Sequence, residues 1–97
     1  MDGRKEKRTP RTLRVLLSSG PQPVVAEYAL TENVSPYGVR VRTYRPWKLD
    51  SRLLIRSSQG ELWAGARVVY CHTLKSHQMF AVGLEFLAHA GDWLMPA

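Results

Sequence analysis

Residues 32–43, ENVSPYGVRVRT, join a turn rich in Asn, Ser, Pro and Gly to a run in which valine and arginine alternate. Successive side chains of an extended chain point to opposite sides, so Val39 and Val41 share one face of a strand and Arg40 and Arg42 the other. Asn33 and Ser35 carry short polar side chains that bond back onto nearby amides, and Gly38 can adopt a positive φ closed to other residues. The segment reads as a turn opening a strand that is apolar inside and charged outside. Asn33 and Ser35 can also present donors and acceptors to a ligand, since the planar amide of asparagine suits the edge of a nucleobase.

The rest of the chain repeats this grammar. Strand-like runs are expected at 12–18, 24–30, 39–44, 52–57, 62–72 and 79–87, separated by SGPQP, TENVSPYG, RPWKLDS, SQG and TLKSHQ. Proline and glycine in these breaks cannot continue a ladder. In the last run Phe80, Val82, Leu84 and Phe86 share one face, while Gly83 marks a bulge or a close backbone approach. Six short antiparallel strands in 97 residues predict an all-β fold, a small six-stranded barrel whose closure removes exposed edges. The tail AHAGDWLMPA is expected to form a short C-terminal helical turn, with Trp93 and Leu94 capping the open end. Trp63, Tyr70, Phe80 and Phe86 are assigned to the core, whereas Tyr37 and Trp47 are placed in exposed loops.

Composition narrows the function. The chain is 44% hydrophobic and 23% charged, as expected of a globular domain. No apolar run approaches the roughly 18 residues of a membrane span, and the charged N-terminus lacks the apolar core of a signal peptide. A cytoplasmic protein is expected, in which the NVS pattern is not a glycosylation site. Cys71 is the single cysteine, so neither an internal disulfide nor a multi-cysteine metal site is available. His72, His77 and His89 do not fall at metal-ligand spacing, and no phosphate loop or catalytic carboxylate pair stands out. The sequence points away from catalysis and from a cofactor or metal.

Charge is concentrated at one end. Residues 1–14 hold six basic and two acidic side chains, a net +4 of the total +6. Residues 1–10 are expected to be a flexible basic arm and residues 11–97 one barrel domain. Such an arm implies an anionic partner. Arg4 and Arg8 stand four apart, as do Lys7 and Arg11. Guanidinium groups fork onto phosphate and the guanine O6/N7 edge, and they stack on a base.

An RxxxR-type arm followed by a strand and then [D/N]xSxxG resembles the PilZ domain family, in which a six-stranded barrel binds the bacterial second messenger cyclic di-GMP. The second motif is met by Asn33, Ser35 and Gly38, and the ending VGLEFL is similar too, so the resemblance spans roughly residues 4–87. Arg4 and Arg8 satisfy the arm motif literally. The register used by many members puts Lys7 and Arg11 in its place, with Arg8 beside them. The resemblance implies that Arg4, Lys7, Arg8 and Arg11 supply the cyclic di-GMP contacts of the arm. It also implies that Asn33 and Ser35 read a guanine edge or fix the loop, and that Gly38 lets the backbone approach the ligand. Arg40 and Arg42 could extend the same surface. The implied role is non-enzymatic relay of cyclic di-GMP to an effector protein. Two alternatives stay open: a degenerate barrel of the same fold that docks a protein without nucleotide, and a small basic nucleic-acid-binding barrel. The second is disfavoured because exposed aromatics in a stripe are missing.

Overall fold

The computed structural model describes residues 9–19, 25–58, 62–75, 78–91 and 93. Among these residues seven strands follow in chain order: β1 (Thr9–Pro10), β2 (Arg14–Ser19), β3 (Ala26–Ser35), β4 (Gly38–Thr43), β5 (Arg52–Ser57), β6 (Trp63–Leu74) and β7 (Met79–Ala90). All pairings are antiparallel. The order β3-β2-β5-β6-β7-β4 closes through a β3–β4 pairing, giving the expected six-stranded barrel, and β1 adds two residues beside β3. Residues 9 and 10 of the expected arm are therefore part of the sheet, while residues 1–8 lie outside the described residues.

Alternation drives the closure. In β5 every second residue is buried, with Leu53, Ile55 and Ser57 inside and Arg52, Leu54 and Arg56 outside. Val15 and Leu17 of β2, Val39 and Val41 of β4, Ala64, Ala66 and Val68 of β6, and Val82 and Leu84 of β7 fill the same interior. Phe80 and Phe86 are partly buried against it.

Two aromatic assignments are reversed. Trp47 is 7% exposed and belongs to the core, whereas Trp63 is 43% exposed. The segment between β4 and β5 is laid back over the barrel: Asp50, with φ of 67°, donates its N–H to the Val68 carbonyl, and Ser51 accepts from Val68 N–H. That path carries the Trp47 ring inward, where its Nε1 donates to Glu27 at 3.0 Å. Trp63 opens β6 on an outward position, paired with Arg56. Tyr37 is exposed as expected.

The expected C-terminal helical turn falls mostly on residues outside those described. Trp93 itself is buried, tilted against Phe86 with ring centroids 5.4 Å apart. Leu94 lies outside the described residues. Among the described residues no helix is long and apolar enough to cross a membrane.

Candidate functional site

The motif residues sit mainly on a strand. β3 runs through Asn33 and Val34 to Ser35, and only Pro36 and Tyr37 form the turn. This strand carries a β-bulge at Glu32. Thr31 pairs with Val41 and Asn33 with Arg40, leaving Glu32 as the extra residue. Before the bulge the odd-numbered Ala29 and Thr31 are buried, and after it the even-numbered Val34 takes over. Glu32 and Asn33 consequently both reach the outer wall, beside Arg40 and Arg42.

Ser35 and Gly38 close the hairpin. Ser35 is fully buried, and its hydroxyl accepts from the Tyr37 N–H at 3.2 Å and donates to the Gly38 carbonyl at 3.4 Å. Its hydroxyl thus serves the turn. Gly38 does not need the positive φ expected from the sequence; the described residue with glycine at positive φ is Gly91. What Gly38 needs is room, since an added Cβ would stand 2.1 Å from the Leu84 carbonyl oxygen on β7.

The base of the arm is stitched to this strand. β1 sets Pro10 opposite Asn33 and Thr9 opposite Val34. Arg11 N–H donates to the Glu32 carbonyl at 3.2 Å. The buried Thr31 hydroxyl donates to the Arg11 carbonyl at 2.5 Å and accepts from Leu13 N–H at 2.7 Å. The base of the arm and the NVSPYG segment, more than twenty positions apart in sequence, therefore run side by side. The Arg11 guanidinium reaches the other way, donating to the Trp93 carbonyl at 2.6 Å. Arg4, Lys7 and Arg8 lie outside the described residues.

Glu32 organises the charges. One carboxylate oxygen accepts from Arg40 Nε at 2.6 Å and the other from Arg42 Nε. Burial opposes ionisation of Glu32, but the guanidiniums of Arg42 and Arg40 outweigh it and hold the carboxyl below the ordinary carboxylate range. A group depressed in the fold contributes stability that is complete above its unfolded pKa and is lost as pH falls through the folded one. We expect Glu32→Gln to lower the urea midpoint near neutrality, and the gap from the parent to close on acidification below the unfolded carboxylate value. A gap that persisted in acid would assign the loss to packing instead.

A second bulge matches the first. Val68 pairs with Leu84 and Tyr70 with Gly83, so Val69 is extra on β6. Arg40 also pairs with Gly83 from the other side. Asn33, Arg40, Gly83 and Tyr70 thus form one row across four strands. The missing side chain at Gly83 lets the Tyr70 ring lie across it, where an added Cβ would be 2.1 Å from Tyr70 Cε2. The Arg40 guanidinium sits 5.9 Å from the ring centroid, and His72 stacks on the ring at 4.7 Å. Desolvation opposes the Arg40 charge, yet the Tyr70 phenol and Glu32 together raise its pKa. Sequence reasoning assigned Tyr70 to the core and passed over Glu32. A glycine within an alternating strand was the only trace of Tyr70's position, and the bulge at Glu32 left none.

Beside the row, Thr12, Leu30, Thr31, Glu32 and Arg42 line a depression of about 360 Å³. Among the described residues no group of three metal-ligating side chains comes together.

A closed antiparallel barrel that carries arginines and an asparagine on its outer wall, with a Ser/Gly-closed hairpin beside the base of a basic N-terminal segment, defines a narrow class. The PilZ domain model matches residues 2–92, and the chain belongs to that family. The solved structure of the Bacillus subtilis inhibitor of motility, MotI/DgrA, shares the fold with a TM-score of 0.70 at 17% identity. The match covers 94% of this chain and 45% of that one, so this chain spans under half of its length. No curated protein sequence matches the chain.

Proposed function

We propose that this protein is a cytoplasmic, non-enzymatic receptor that binds cyclic di-GMP and passes the signal to a protein partner. One observation supports the reading: β1 lays Pro10, at the base of the arm, against Asn33. Arg11 and the preceding Arg8, Lys7 and Arg4 supply cations for two phosphates and planar groups for guanine. Asn33 offers an amide on the outer wall, while Ser35 and Gly38 hold the hairpin that presents it. Arg40, kept in place by Glu32 and Tyr70, and Arg42 extend the cationic surface.

Calorimetric titration with cyclic di-GMP, against GTP and GMP, tests this reading. Saturable binding selective for the cyclic dinucleotide is expected, with Arg8→Ala and Arg11→Ala each weakening it about ten- to a hundredfold, the size of a lost charge-assisted hydrogen bond, and Asn33→Ala about two- to tenfold, the size of a neutral one. No heat and no thermal stabilisation at high ligand would sink it.

One observation favours a second reading, a barrel of the same family that docks a protein without nucleotide. The Arg11 guanidinium is already engaged by the Trp93 carbonyl, and the position four residues before it holds Lys7, which lacks the planar fork. The same titration separates the two.

A further inference from the structure

A second surface lies on the outer wall, toward the opposite end of β3 from the hairpin. Tyr28, Leu30 and Tyr44 are 58%, 50% and 71% exposed. With Arg14, Arg42 and Met79 they line a groove of about 450 Å³. Large apolar side chains clustered in the open on a domain this size mark a contact surface more often than chance. The register explains their grouping. Arg14 pairs with Leu30 across β2–β3, and Leu30 pairs with Arg42 across β3–β4. Tyr28 follows at the next outward position of β3, with Arg14 placed 5.2 Å from its ring centroid. An aliphatic floor therefore lies between two guanidiniums, with a tyrosine at each flank.

Charge selects the occupant. No carboxylate lines the groove among the described residues. Arg14 has no carboxylate partner among them, and Arg42 shares Glu32 with Arg40. A second copy facing itself here would set arginine against arginine. Nucleic acid favours cations that track a backbone, and Leu30 and Met79 in the floor offer it nothing. We propose that this groove docks an extended, acidic and apolar segment of a partner protein, with a carboxylate held between Arg14 and Arg42 and an apolar side chain seated on Tyr28, Leu30 and Tyr44. Tyrosine and arginine are the side chains that most often anchor such contacts. The groove shares Leu30 and Arg42 with the depression lined by Thr12, Thr31 and Glu32, so the partner would lie next to that depression. The proposal does not depend on nucleotide binding.

The experiment is selection of short random peptides on the immobilised full chain. Fluorescence anisotropy of the enriched peptides then compares the parent with Arg14→Glu and Tyr44→Ser, with oligouridylate as the rival class. Both side chains are at the surface, so the two variants should melt like the parent. The expected winners combine Asp or Glu with Leu, Phe or Trp, and each variant weakens them at least about tenfold. Failure to enrich any peptide, enrichment of basic peptides, or binding indifferent to both substitutions would overturn the proposal. So would oligouridylate binding more tightly than any peptide and being lost in Arg14→Glu.

Discussion

A single methyl group added at Gly38 is expected to remove much of the protein's thermal margin. In Gly38→Ala the new Cβ would meet the Leu84 carbonyl oxygen at 2.1 Å, its carbon at 3.2 Å and the Glu85 Cα at 3.4 Å. All three are backbone atoms of β7, so no side chain can rotate aside. Gly38 pairs with Glu85 and Val39 with Leu84, and relieving the clash means prising the β3–β4 hairpin away from the strand that closes the barrel. Overpacking typically costs about 1–3 kcal/mol, and a clash with immovable backbone belongs at the top of that range, against a total stability of about 5–15 kcal/mol for a domain of ordinary size. At roughly 4–8 °C per kcal/mol, the melting temperature should fall by more than about 10 °C. Thermal melts followed by circular dichroism measure it. Gly65→Ala is the control, because nothing lies within 4 Å of its added Cβ. A Gly38→Ala protein that melted with the Gly65→Ala control would show that the hairpin has slack the register does not suggest.

The second large effect belongs to Trp47→Ala. Its ring is 7% exposed although it sits between strands, and its removal takes core volume from one end of the barrel. Truncating a buried tryptophan costs about 3–5 kcal/mol. Glu27 also loses its 3.0 Å donor, leaving a half-buried carboxylate with less than it was built to receive. Trp63→Ala, at a 43% exposed position, should cost no more than about 1 kcal/mol, within the range of ordinary substitutions. Urea midpoints of the two variants give the comparison. Equal losses would mean that Trp47 is not part of the core.

The contrast between these tryptophans marks where sequence reasoning stops. The barrel and the places of its six strands along the chain were legible because a chain this short has few ways to bury alternating valines, and VRVRT states its two faces outright. Arg40 and Arg42 face outward as read, and the hairpin is where NVSPYG implied. Trp47 was not legible, since its burial follows from the return of a loop over β6, fixed by contacts far away in sequence. Tyr70 was misplaced for a related reason. One extra residue at Val69 turned an expected inward ring onto the wall, and bulges leave no periodic signal. Gly38 was recognised as special, but for torsion when the cause is crowding by β7, a strand separated from it by more than forty residues.

The bulge at Glu32 also fixes the arithmetic of β3. Up to Thr31 the odd positions face the interior; past it the even-numbered Val34 does, before Ser35 closes the hairpin. A ladder that ran straight through Glu32 without the bulge would turn Val34 out to solvent and Asn33 into the apolar interior, with composition unchanged. Elsewhere a loop can absorb a lost or added residue. Here the count itself is the information, and the chemistry of the outer wall is written in the spacing of residues as much as in their identity.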